Sequence, residues 1–156
     1  MQVLAQEFRP APNIDLRYLV KLWLFEVWAK KFGAKVVLKD IAIEQRGNQR
    51  LFAIAYLNSP VRFRKCTIQI DEFKAFEDVR IEGIAGVFLI DWKRPVGVNI
   101  IHKILNKFGR VFDYLIIIAE RFSGIVEDRY SPEKNKRVKV FTDGDLVSEL
   151  RREGVL

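Results

Sequence analysis

One cysteine, Cys66, and one histidine, His102, stand in a chain of 156 residues. A lone cysteine excludes an internal disulfide framework. Together the two fall short of the four nitrogen or sulfur donors that a structural zinc site needs. A single histidine also removes the multi-histidine metal nucleases from consideration. Long apolar runs are missing too: stretches such as 51–57 and 115–119 are short, whereas a membrane-spanning helix needs about 20 such residues. The opening stretch 1–12 reads neither as a charged-then-apolar leader nor as an anchor. The expectation is an intracellular, cytoplasmic protein with no membrane partner. No Gly-Lys-Ser/Thr phosphate loop and no Gly-any-Ser-any-Gly elbow occurs. No repeat, low-complexity tract or linker divides the chain, which predicts a single domain over 1–156.

What is abundant is positive charge. Lysine and arginine number 27 against 20 acids, a formal net charge of +7. Such a balance favours anionic partners, nucleic acid first and anionic lipid second. Apolar residues make up 49% of the chain, enough for a core without staples.

Helix and strand signals alternate, which predicts an α/β or α+β fold. A first helix is expected over 15–32, with Asp15 as N-cap and Gly33 as stop. Leu16, Val20, Trp23 and Val27 recur at helical spacing, and Leu19, Leu22 and Leu24 widen that stripe. Glu26 falls on the apolar side and can pair with Lys30 or serve an active site. Strands are expected over 35–44, 50–57 and 61–70, separated by turns at 45–48 and 58–60 and forming an antiparallel meander. Arg62-Phe63-Arg64-Lys65 sets an aromatic among bases, suited to tracking phosphates or to protecting an edge strand.

The informative region is 78–120, read as strand, tight turn, strand, helix, strand. In Val79-Arg80-Ile81-Glu82, alternation puts Arg80 and Glu82 on one face. Gly83 and Gly86 mark a turn. The next strand opens with four apolar residues, Val87 to Ile90, as a central strand does. It then carries Asp91 and Lys93, which share a face roughly 7 Å apart. A buried strand ending in charge needs a reason, because desolvating charges is costly. A cation held between Glu82 and Asp91 would supply one, with Lys93 alongside to stabilise charge developing on phosphorus. The bland alternative is a set of salt bridges at a strand end.

Glu82, followed by Asp91-Trp92-Lys93, resembles the motif of the PD-(D/E)XK nuclease superfamily, in which an acid on one strand precedes an acid-any-Lys run on the next. The superfamily includes restriction enzymes, Holliday-junction resolvases and CRISPR-associated exonucleases. The chain is also similar in style to small nucleases of archaeal filamentous viruses, for which the compartment would be the host cytoplasm. The resemblance implies a restriction-endonuclease-like mixed central sheet flanked by helices, here with an additional antiparallel meander. It implies Mg2+ or Mn2+ held by Glu82, Asp91 and the carbonyl of Trp92, with Lys93 catalytic and Glu26 as the helix glutamate near the metal. It implies DNA as substrate, and relatives of this kind often act as homodimers. The chain departs from the family pattern in having Glu82 after Ile81 where an Asp after Pro is usual, Asp91 where Glu is commoner, and a longer meander.

The helix expected over 98–112 is amphipathic, with Ile101, Ile104, Leu105, Phe108 and Phe112 on one side. Lys103, Lys107 and Arg110 recur on another face, and Arg94 precedes them. With Arg62 and Arg64 they are the candidate nucleic-acid contacts, giving sequence-independent, salt-sensitive affinity. His102 reads as a surface residue, and Asn106 as a minor candidate contact. The polar stretch 127–139 predicts an exposed loop, and Asp143 and Asp145 predict caps for a last helix rather than a second metal site. The rival functional reading is a basic DNA-binding protein or transcriptional regulator without catalysis, followed by an interaction module of other specificity.

Overall fold

The computed structural model describes residues 15–58, 61–70, 73–81, 83–130 and 137–156, with backbone alone for 61–70 and 73–81. Helix α1 (Leu16–Trp23) begins where Asp15 accepts a hydrogen bond from the Arg17 amide. It continues as a π-helical segment, Leu24–Ala29, where the amides of Lys30 and Phe32 reach back five residues to Phe25 and Val27. The extra residue per turn departs from the continuous α-helix that the apolar spacing predicts. The wide stripe accommodates it: Leu24, Val27 and Trp28 all remain buried. Gly33, at φ +73, ends the helix as expected.

Among the described residues seven strands follow: β1 (Lys35–Arg46), β2 (Gln49–Asn58), β3 (Val61–Ile70), β4 (Phe73–Ile81), β5 (Ile84–Asp91), β6 (Tyr114–Ala119) and β7 (Val138–Thr142). Helices α2 (Val98–Phe108), α3 (Gly124–Tyr130) and α4 (Asp143–Arg152) complete the order. The main sheet runs β1-β2-β5-β6-β7. Its β1–β2 and β2–β5 pairs are antiparallel and its β5–β6 and β6–β7 pairs parallel. It is therefore the expected mixed sheet flanked by helices, with β2 alone running against the rest.

Alternation along β5 and β6 explains why both strands read as continuous apolar runs. Val87 and Leu89, with Ile116 and Ile118, meet Trp23, Leu24 and Val27 from the first helix and Leu146 and Leu150 from α4. Phe88 and Ile90, with Leu115 and Ile117, face Ile101 and Ile104 of α2 and Val126 of α3. Both faces are covered, as a parallel strand pair requires.

Two expectations are corrected. β3 does not extend a meander with β1 and β2: it pairs with β4 in a separate two-stranded sheet. Nor is β4 the neighbour of β5. Val61 pairs with Ile81 and Asn58 with Ile84, so the β3–β4 ribbon prolongs the β2–β5 hairpin in the same register. Gly86, read from sequence as a turn residue, lies inside β5. Its missing side chain makes room for the Phe112 ring, whose Cδ2 would stand 2.6 Å from an added Cβ.

The edge strand β1 breaks its register between Leu38 and Ile41. There Asp40 adopts φ +50, in the left-handed region that aspartate tolerates better than most residues. Lys21 and Arg17 of α1 reach its carboxylate. This clamp sets the N-terminal turn of α1 beside β2, where the Arg17 guanidinium lies 5.0 Å from the Phe52 ring centroid.

Candidate active site

Asp91 is the last residue of β5. Ile90 pairs with Ala119 across the parallel β5–β6 ladder, so the next register step sets Asp91 beside Glu120, on strands about 4.8 Å apart. The strand alternation carries both carboxylates to the face covered by α1 and α4. Arg50 confirms that side for Asp91: it lies over the Phe52 ring at 5.4 Å and pairs with the Asp91 carboxylate. Lys93 Nζ reaches Glu120 Oε1 at 3.1 Å. Two ion pairs, Arg50–Asp91 and Lys93–Glu120, thus lie at the C-terminal ends of adjacent strands, where ligands of open α/β sheets commonly bind.

The loops that leave β5 and β6 are stitched together. The Val96 amide donates to the Arg121 carbonyl at 2.9 Å, and the Ser123 amide donates to the Val96 carbonyl at 2.9 Å. Arg121 Nη2 donates to the Lys93 carbonyl at 3.0 Å. The backbone that carries Lys93 is therefore fixed, while its side chain is 83% exposed against 30% for Glu120. An exposed ammonium on a held backbone can turn from its carboxylate to an incoming phosphate.

Of the residues expected from sequence, the structure brings Asp91 and Lys93 to one strand end, with Trp92 half-buried between them. Glu82 lies outside the described residues. Glu26 pairs with Lys30 at 3.4 Å, the one-turn ion pair, and no contact joins it to Asp91. Arg94 and Arg110 are exposed. Lys103, expected to be available to phosphates, is bound to Glu44 of β1. That bond holds the Glu44 carboxyl below its ordinary range, against a smaller opposing effect of burial. Lys107 stands 5.6 Å from the Phe108 ring centroid. Arg62 and Arg64 belong to β3, at backbone positions opposite Arg80 and Asp78. His102 meets the Tyr130 hydroxyl at 3.1 Å. The last helix is capped by Thr142 with Asp145 as its reciprocal partner, the structural role expected of the acids there.

Glu120 is the residue that local reading misses. Its signal is in the sequence: Val87–Ile90 and Leu115–Ala119 are two apolar runs, and each ends in an acid. Two parallel buried strands ending in carboxylates place those carboxylates side by side.

The donor set suits a hard cation. Magnesium takes oxygen ligands, often only one or two carboxylates with water and phosphate completing the shell. Among the described residues no group of three or more acidic, histidine or cysteine side chains gathers to hold a metal. Among the described residues, too, no helix is long and apolar enough to cross a membrane. Comparison with family models, curated proteins and solved structures found no match for this chain.

Proposed function

We propose that the chain is a metal-dependent nuclease that hydrolyses DNA phosphodiester bonds at the ends of β5 and β6. The observation that carries this reading is the Lys93–Glu120 pair just past the end of β6, with Asp91 ending the neighbouring strand β5. Mg2+ or Mn2+ would be held by Asp91 with Glu120, or with Glu82 of the motif resemblance. The chemistry such a cation supplies when bound is polarisation of the phosphodiester and a more acidic water.

The chain's own groups do the rest. Lys93 leaves Glu120 for a non-bridging phosphate oxygen and offsets charge developing on phosphorus. Arg50 keeps Asp91 oriented through their ion pair. Arg94, together with the surplus of basic residues across the chain, draws in the DNA backbone irrespective of sequence.

The test incubates linear, circular and branched DNA with magnesium. Wild type should cut, and EDTA should stop it. Asp91→Ala and Lys93→Ala should each lower the rate about a hundredfold or more, the scale of losing one charge-stabilising group. Comparing Glu82→Ala with Glu120→Ala identifies the acid that works with Asp91. Full activity in both Asp91→Ala and Lys93→Ala would remove the site from this place.

A second reading is favoured by a specific observation. Asp91 already has Arg50 and Glu120 already has Lys93, a charge-balanced set that needs no metal. On that reading the protein binds DNA without cutting it, in EDTA as in magnesium, and Asp91→Ala changes nothing.

A further inference from the structure

The two stitched loops hold more than the charged quartet. A groove of about 450 Å³ opens between them, with Trp92, Pro95 and Asn99 on one side and Ser123 and Ile125 on the other. That volume is in the range of small-molecule sites. Ile125 is 62% exposed although apolar, and Trp92 is half-buried. Apolar surface left open inside a concave site marks a place where something docks.

The charges beside it say what kind of ligand. Trp92 and Pro95 bracket Lys93 and Arg94 in the chain, and both cations are exposed. An apolar slot whose lining residues Trp92 and Pro95 adjoin exposed cations in the chain matches a flat ring joined to an anionic backbone. We propose that this groove takes one unstacked nucleobase of the nucleic-acid substrate, packed against Trp92, while the adjoining phosphate lies at Lys93 and Arg94. Asn99 provides an amide donor and acceptor for the base edge. The inference rests on nucleic acid being the partner, and it narrows the substrate class. A base inside a duplex cannot enter the slot without being extruded, so single-stranded or locally unpaired DNA is preferred over continuous duplex.

The three tryptophans make the test direct. Trp23 and Trp28 are buried in the core, so Trp92 is the indole that a stacked base can quench. The full chain in EDTA is titrated with a short thymidine oligonucleotide, its abasic counterpart and a blunt duplex. Tryptophan emission and the anisotropy of a dye on the DNA are followed together. The thymidine strand should quench emission. The abasic strand should bind through its phosphates without quenching, and the duplex should quench least. Trp92→Phe should abolish the quenching, and Ile125→Asp should weaken thymidine binding about tenfold, the scale of losing one stacked base. Equal quenching by the abasic strand, or undiminished thymidine binding in Ile125→Asp, would overturn the groove assignment. So would an apolar peptide quenching Trp92 where DNA does not.

Failure of the two readings is separable. Base-dependent quenching without magnesium-dependent cleavage keeps the groove and removes the nuclease. Cleavage without base-dependent quenching keeps the nuclease and removes the groove.

Discussion

Replacing Gly86 by alanine should destabilise the protein by about 2 kcal/mol, near the middle of the range for overpacking a filled core. An added Cβ would stand 2.6 and 2.7 Å from two carbons of the Phe112 ring and 2.9 Å from Cε2 of Phe88. Real contacts of that kind stay above 3.0 Å, so something must move. The ring cannot turn freely away, because Phe112 stacks edge-on to Phe88 at 6.0 Å and faces Tyr56 at 6.5 Å. In a chain of this length each kcal/mol lowers the melting temperature by roughly 3 °C, so the fall should be about 6 °C. Urea unfolding should show an earlier midpoint at unchanged slope. Phe112→Leu vacates part of the contested space. Combined with Gly86→Ala it should cost at least about 0.5 kcal/mol less than the two single costs together, the coupling expected of touching residues. Strict additivity, or a Gly86→Ala protein as stable as wild type, would refute the claim that this glycine is a close-packing position inside β5.

Three further outcomes are expected. Asp91→Ala, Glu120→Ala and Lys93→Ala should stay folded, each within about 1 kcal/mol of wild type, because the Arg50–Asp91 pair is 51% and 30% exposed and surface pairs contribute little; a loss of several kcal/mol in urea titration would show that the quartet is structural. Lys103→Met should raise the Glu44 titration midpoint toward its ordinary 4.5, followed by carboxyl NMR. Since the folded carboxyl sits below its unfolded value, the pair's stabilisation is present above that unfolded value and disappears as pH falls through the folded one, so the variant should lose stability less steeply in acid; an unmoved Glu44 midpoint would rule the pairing out. Trp23→Phe should cost about 1–2 kcal/mol by losing the indole donor to Glu149 at 2.8 Å, from a side chain with no exposure, and a neutral result would show that the bond contributes nothing.

How much of this molecule can be read from its residues depends on how far apart the interacting residues lie. The first helix is local: its stripe, its Asp15 cap and its Gly33 stop are properties of consecutive residues, and they are where the spacing predicts. So is the centrality of β5, since four apolar residues in a row require cover on both faces. The pairing of β5 is not local. Gly83 and Gly86 suggest a hairpin to the preceding strand, because glycine reads as a turn when its neighbours in space are unknown. The structure instead gives β5 to β2 on one side and β6 on the other, and Gly86 answers to Phe112, 26 positions along the chain. The same limit applies to the carboxylates. Choosing Glu82 as partner for Asp91 assumes that the strand before β5 is also its neighbour. With β6 as the neighbour, Glu120 becomes a second candidate for that place, with Lys93 bonded to it. The acid-any-Lys run alone therefore identifies which strand end carries charge, whereas the second acid follows only from strand order. This is why the comparison of Glu82→Ala with Glu120→Ala is the decisive one. It asks whether the partner of Asp91 is set by adjacency in sequence or by adjacency in the sheet.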